Sequence, residues 1–113
     1  MADVEITTDQ ERIDIDLVHR FLSESSYWAL GRSREVVERS IRNSFCFSVL
    51  VDGRQVGFAR LVTDRTIFAY LMDVFIVPEW RGQGLSKALM RAILDHPELA
   101  TVRQFLLRTS DAQ

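Results

Sequence analysis

Cysteine is almost absent: Cys46 stands alone in a chain of 113 residues. No internal disulfide can form, so nothing points to an oxidising compartment. Histidine is scarce as well. Only His19 and His96 are present, and neither has a cysteine at ligand spacing, so a metal site is not expected. A surplus of charge of one sign is also missing. The 14 basic and 16 acidic side chains leave a formal net charge of -2, and the short pairs Arg32 with Arg34 and Arg81 with Lys87 are interrupted. Nucleic-acid binding draws most of its affinity from clustered cations on phosphates, so it is not expected. Long apolar runs are lacking too. The longest stretch, Ile67 to Val77, is broken by Asp73 and is too short for a bilayer. The opening residues Met1 to Glu5 are acidic, and no signal peptide is expected there. Repeats, low-complexity tracts and linkers are absent. The expectation is a soluble cytoplasmic protein.

What is present is an ordinary globular balance, 47% hydrophobic and 27% charged. A chain of this length buries roughly two thirds of the surface that its unfolded form exposes, enough for one core. A single domain over residues 1–113 is expected.

The pattern along the chain is α/β. Val4 to Thr7 reads as a short strand. Asp14 caps a helix whose inner face is Leu17, Val18, Phe21 and Leu22. Ser25 to Arg32 reads as a loop carrying Tyr27 and Trp28. Ser33 caps a second helix with Val36, Val37 and Ile41 inward. Phe45, Phe47, Val49 and Val51 then alternate on one side of a strand. Asp52-Gly53 is a hairpin signal, and Val56, Phe58, Arg60 and Val62 alternate on the return. After a turn at Thr63 to Arg65, Ile67 to Val77 is apolar enough to imply burial on both faces. Pro78 stops it. Leu85, Ala88, Leu89, Ala92 and Ile93 follow at helical spacing, His96-Pro97 ends that helix, and Val102 to Leu107 reads as a last strand.

The informative segment is the strand, loop and helix from Val74 to Leu94. Its loop reads Arg81-Gly82-Gln83-Gly84-Leu85-Ser86. Glycines let a backbone approach a ligand closely. A helix starting near Gly84 aims its unpaired N–H groups and positive dipole end at the loop, which suits a pyrophosphate. A P-loop would need Gly-Lys-Ser/Thr, whereas Lys87 follows Ser86. A dinucleotide fingerprint would need glycine at position 87 and a parallel βαβ start.

The stretch from Val74 to Ser86, in particular Arg81-Gly82-Gln83-Gly84-Leu85-Ser86 after Val77-Pro78, resembles the acetyl-CoA motif of the GNAT acetyltransferases. Arg81 and Gly84 fit the pattern Arg/Gln-x-x-Gly-x-Gly/Ala, and Ser86 departs from its last position. The order of elements from Val4 onward is similar too. The resemblance implies a mixed sheet with antiparallel N-terminal strands and an acetyl-CoA motif made of the fourth strand, a loop and the third helix. It implies an N-acetyltransferase that moves an acetyl group from acetyl-CoA to a primary amine of a small or amino-acid-like acceptor. Backbone groups of Val74, Phe75 and Ile76 would pair with the pantetheine arm. N–H groups of Arg81, Gly82, Gln83, Gly84, Leu85 and Ser86 would hold the pyrophosphate. A backbone N–H near Phe75 or Ile76 would polarise the thioester carbonyl. Tyr27 and Trp28 would contact the acceptor, or else form a core edge or a partner surface.

An attacking ammonium must first lose a proton. Asp73, the charge within the apolar strand, is the candidate base; its other reading is a structural residue. Arg60 reads as a structural ion pair or a site for a substrate carboxylate, and Cys46 as packed. In the family a helix bearing a general-acid tyrosine and two further strands follow the last strand found here. Against that pattern the C-terminal part is short. Phe105, Leu106 and Leu107 are then expected at an open edge, and self-association follows as an expectation. A non-catalytic acyl-CoA-binding or interaction module is the alternative.

Overall fold

Local sequence settles most element boundaries. The structure, a computed structural model, describes residues 3–25 and 32–107. Strand β1 (Val4–Thr7) is followed by helix α1 (Ile15–Ser25), where Asp14 Oδ1 accepts from Leu17 N–H at 3.1 Å. Helix α2 (Arg34–Arg42) starts at Ser33, whose hydroxyl accepts from Val36 N–H. The strands β2 (Phe45–Val51), β3 (Arg54–Thr63) and β4 (Phe68–Ile76), helix α3 (Leu85–Leu94) and strand β5 (Gln104–Leu107) complete the order. No helix among the described residues is long and apolar enough to cross a membrane.

The sheet runs β1-β2-β3-β4-β5. The first three pairings are antiparallel, and β4 pairs β5 in parallel. A parallel neighbour requires a crossover, and α3 supplies it. Helices therefore cover both faces. Val18, Leu22, Val37 and Ile41 pack with Cys46, Phe58 and Phe75 on one side. Leu85, Leu89 and Ile93 pack with Phe47, Val49, Ala59 and Leu71 on the other. Each such buried aliphatic side chain contributes about 1.5–3 kcal/mol of burial.

Three expectations about facing are corrected. Val56 lies on the α3 side whereas Phe58 lies on the α1 side. A β-bulge is the cause: the β2–β3 register shifts between Val49 and Leu50, so strict alternation fails there. Val36 is 52% exposed, and Val37 with Ile41 alone forms the inner face of α2. His19 is half-buried, with Nε2 3.0 Å from the Arg32 carbonyl. Strand β4 is fully buried on alternate residues up to Phe75, and on both faces only at Phe75 and Ile76.

Candidate functional site

Strand β4 changes partners along its length. On one edge it pairs with β3 from Ala69 to Ile76. On the other it pairs with β5 only from Phe68 to Leu71. Beyond Leu71 that edge has no partner among the described residues. A bulge marks the change, because Arg60 faces Met72 whereas Phe58 faces Phe75, so β4 carries one extra residue. Asp73 sits in that bulge with φ 54°, the left-handed region that non-glycine residues rarely occupy. The bulge also brings Met72 and Asp73 to one side of the strand. Arg60 touches both, with Nε 2.8 Å from Asp73 Oδ2 and Nη2 3.5 Å from Met72 Sδ.

Backbone direction on the open edge follows from alternation. Val77 N–H donates to Val56 O at 2.8 Å, so Val77 turns toward β3. Phe75 does likewise, and Ile76 and Val74 turn outward. The Ile76 carbonyl is already taken by Arg81 Nε at 2.8 Å. The outward groups left are Val74 N–H and C=O and Ile76 N–H. An extended amide chain laid along this edge would find a donor, an acceptor and a second donor, as an added strand does. Phe75 contributes differently: its ring is buried and stacks on Phe21 at 4.1 Å between centroids.

The loop after β4 continues this edge. Pro78–Trp80 forms a short 3₁₀ turn, and Gly82 and Gly84 take φ of 78° and 82°. Gly84 precedes α3, and no side chain caps the helix. The N–H groups from Gly82 to Lys87 find no acceptor among the described residues, and such a row attracts an anion. They border a pocket of about 300 Å³ lined by Ile76, Trp80, Arg81, Gly82, Gly84, Leu85, Ser86 and Lys87. Trp80 and Lys87 were not expected as lining. Trp80 is placed by its packing against the α3-side core. Arg81 is pinned to the Ile76 carbonyl, so its guanidinium is held where β4 meets the loop.

Asp73 and Arg60 are both buried. Asp73 Oδ2 also receives Arg32 Nη1 at 3.1 Å, so one oxygen serves two guanidiniums. Arg60 Nη1 donates to Ser44 Oγ at 3.1 Å. The ion-pair reading of Arg60 matches this geometry. Cys46 lies in the same buried layer, where desolvation pushes its thiol up to about 12, with Arg60 pulling partly back and Asp73 adding to the rise. Tyr70 is half-buried on β4. Tyr27 and Trp28 lie outside the described residues.

The model of the acetyltransferase (GNAT) family matches residues 15–109. A protein of Gibberella zeae that carries a provisional acetyltransferase name is 26% identical, over 97% of this chain and 73% of its own length. An uncharacterized N-acetyltransferase of Gracilaria tenuistipitata is 36% identical over 65% of this chain and 42% of its own. A crystal structure from Xanthomonas campestris, of a protein provisionally named a GNAT acetyltransferase, is 50% identical. It superposes with a TM-score of 0.93, covering all of this chain and 80% of that one. Glucosamine-6-phosphate N-acetyltransferase of Arabidopsis thaliana shares the fold alone, at 14% identity and a TM-score of 0.66, over 96% of this chain and 84% of its own. The family match spans both the open edge of β4 and the glycine loop, and this chain belongs to the GNAT acetyltransferase family.

Proposed function

We propose that this chain is an N-acetyltransferase that takes its acetyl group from acetyl-CoA and gives it to a primary amine of a small or amino-acid-like acceptor. The observation that carries this is the continuity of two unlike features. An edge with strand-type donors and acceptors runs directly into a loop whose N–H groups find no acceptor among the described residues. Acetyl-CoA is a molecule of that build, an amide-bearing arm joined to a pyrophosphate. The arm would lie along Val74 and Ile76, and the pyrophosphate on the loop from Arg81 to Ser86, beside Lys87.

In the transfer, the amine lone pair attacks the thioester carbonyl, a C–N bond forms, and the C–S bond breaks. An outward N–H at Val74 or Ile76 is suited to stabilise charge developing on the carbonyl oxygen. The proton lost by the ammonium passes to water, and the CoA thiolate, similar to cysteine, leaves with little acid assistance. The outer edge of β5, which has no strand partner among the described residues and where Leu106 is 54% and Leu107 60% exposed, supports a second copy of the chain as a partner.

The test is thiol release from acetyl-CoA across a panel of amines. Amine-dependent release above the hydrolysis rate is expected. Equal release with and without every amine would contradict the reading. The buried Cys46 thiol should add little background to a thiol reagent.

A further inference from the structure

Three non-glycine residues have positive φ among the described residues: Asp52, Arg65 and Asp73. Asp52 is in the hairpin between β2 and β3, and Arg65 is in the connection between β3 and β4. Asp73 alone lies inside a strand. A left-handed residue in a strand persists only where its surroundings hold it. The holding groups are visible. Asp73 Oδ2 accepts from Arg60 Nε at 2.8 Å and Arg32 Nη1 at 3.1 Å. The three side chains are 2%, 10% and 20% exposed in that order. Charge pairs so far from water are screened little and depend strongly on geometry.

The three residues come from three places. Arg60 is on β3, which pairs with β4 across the bulge. Arg32 precedes α2 and is fixed by its own carbonyl, which lies 3.0 Å from His19 Nε2 and accepts from Ser23 Oγ at 3.2 Å. Ser44, in the connection between α2 and β2, holds the far end of Arg60. The Asp73 Oδ2 atom in this setting is committed to two guanidinium donors.

We propose that Asp73 is a positioning residue. With Arg60 and Arg32 it clasps the β4 bulge, so that Val74 and Ile76 present their backbone groups outward, and it ties that strand to the segment leading into α2. The importance of the clasp for transfer rests on the reading of the open β4 edge as the acyl-donor slot. The competing role for Asp73 is proton acceptor.

Asp73→Asn leaves two buried guanidiniums without a counter-charge and endangers the fold. Arg60→Met keeps one guanidinium for one carboxylate, so it carries the test. The first readout is hydrogen exchange in the ligand-free protein at Phe75 and Val77, whose amides face β3. Exchange there should quicken about tenfold or more, as a local opening does, with the α3 amides unchanged. Leu89→Ala, which weakens the opposite face, should quicken exchange broadly and serves as the control. CoA titration and kcat against pH give the second readout. Affinity and kcat should both fall, the acid limb of the pH profile should keep its position, and Arg60→Lys should recover part of the loss.

Unchanged exchange at Phe75 and Val77 in a folded Arg60→Met protein overturns the clasp. So does an acid limb displaced to higher pH with exchange unchanged, the signature of a base that has lost a neighbouring cation. Faster local exchange in a protein whose wild type takes no CoA leaves the clasp standing and removes the donor-slot reading.

Discussion

At the residue scale, Gly84 separates backbone strain from ligand contact. Its φ of 82° is costly for any side chain, yet an added Cβ would meet no protein atom within 4 Å. Gly53, in the β2–β3 hairpin, has φ 84° and equally open space. Alanine at either position should therefore cost about 1 kcal/mol of stability. CoA affinity should fall with Gly84→Ala and stay unchanged with Gly53→Ala. Paired urea melts and CoA titrations check this; equal affinities in both variants would remove Gly84 from the site.

Cys46 gives a pH prediction. Its thiol is raised in the fold from 9.0 to about 12. A raised value means that the unfolded chain releases the proton first. The contribution to stability is intact below pH 9 and is lost progressively between 9 and about 12. Urea midpoints should thus decline above pH 9 in wild type, and less so in Cys46→Ala.

At the scale of elements, much was legible because local rules sufficed. The caps at Asp14 and Ser33, the hairpin at Asp52-Gly53 and the spacing of Leu85, Leu89 and Ile93 all appear where the sequence puts them. The loop from Arg81 to Ser86 was legible for the same reason. Two bulges were not, since each depends on register with a neighbouring strand. One turns Val56 to the other face. The other makes Asp73 part of a cluster with Arg60 and Arg32, which lie 13 and 41 residues away. Alternation narrows the outward N–H groups to Val74 and Ile76, a distinction that no residue type announces.

Gly57 tests how tightly β3 and β4 are packed together. A Cβ there would come 2.6 Å from Ile76 Cδ1 and 3.1 Å from Val49 Cβ. Gly57→Ala should destabilise by about 1–3 kcal/mol through overpacking. Denaturant melts measure this, and a neutral result would mean that Ile76 repacks freely.

At the scale of the whole molecule, the sheet is a partition. Helices α1 and α2 lie on one face with the clasp, α3 lies on the other, and the opening of β4 away from β5 joins the two. The outer edge of β5 carries Leu106, which is 54% exposed. Leu106→Lys should change stability by less than about 0.5 kcal/mol, as surface changes do. If copies pair along this edge, the variant should lower the mass seen by light scattering at high concentration. A wild type that stays monomeric over the concentration series would remove the second copy as partner.

The central claim is that the β4 edge and the glycine loop together form a CoA site. Calorimetric titration of CoA into the wild-type chain tests it most directly. Saturable one-to-one binding is predicted, with competition by acetyl-CoA and marked weakening in a folded Gly84→Val protein. A folded wild-type chain that gives no saturable binding, or a Gly84→Val protein that binds as tightly as wild type, would contradict the account.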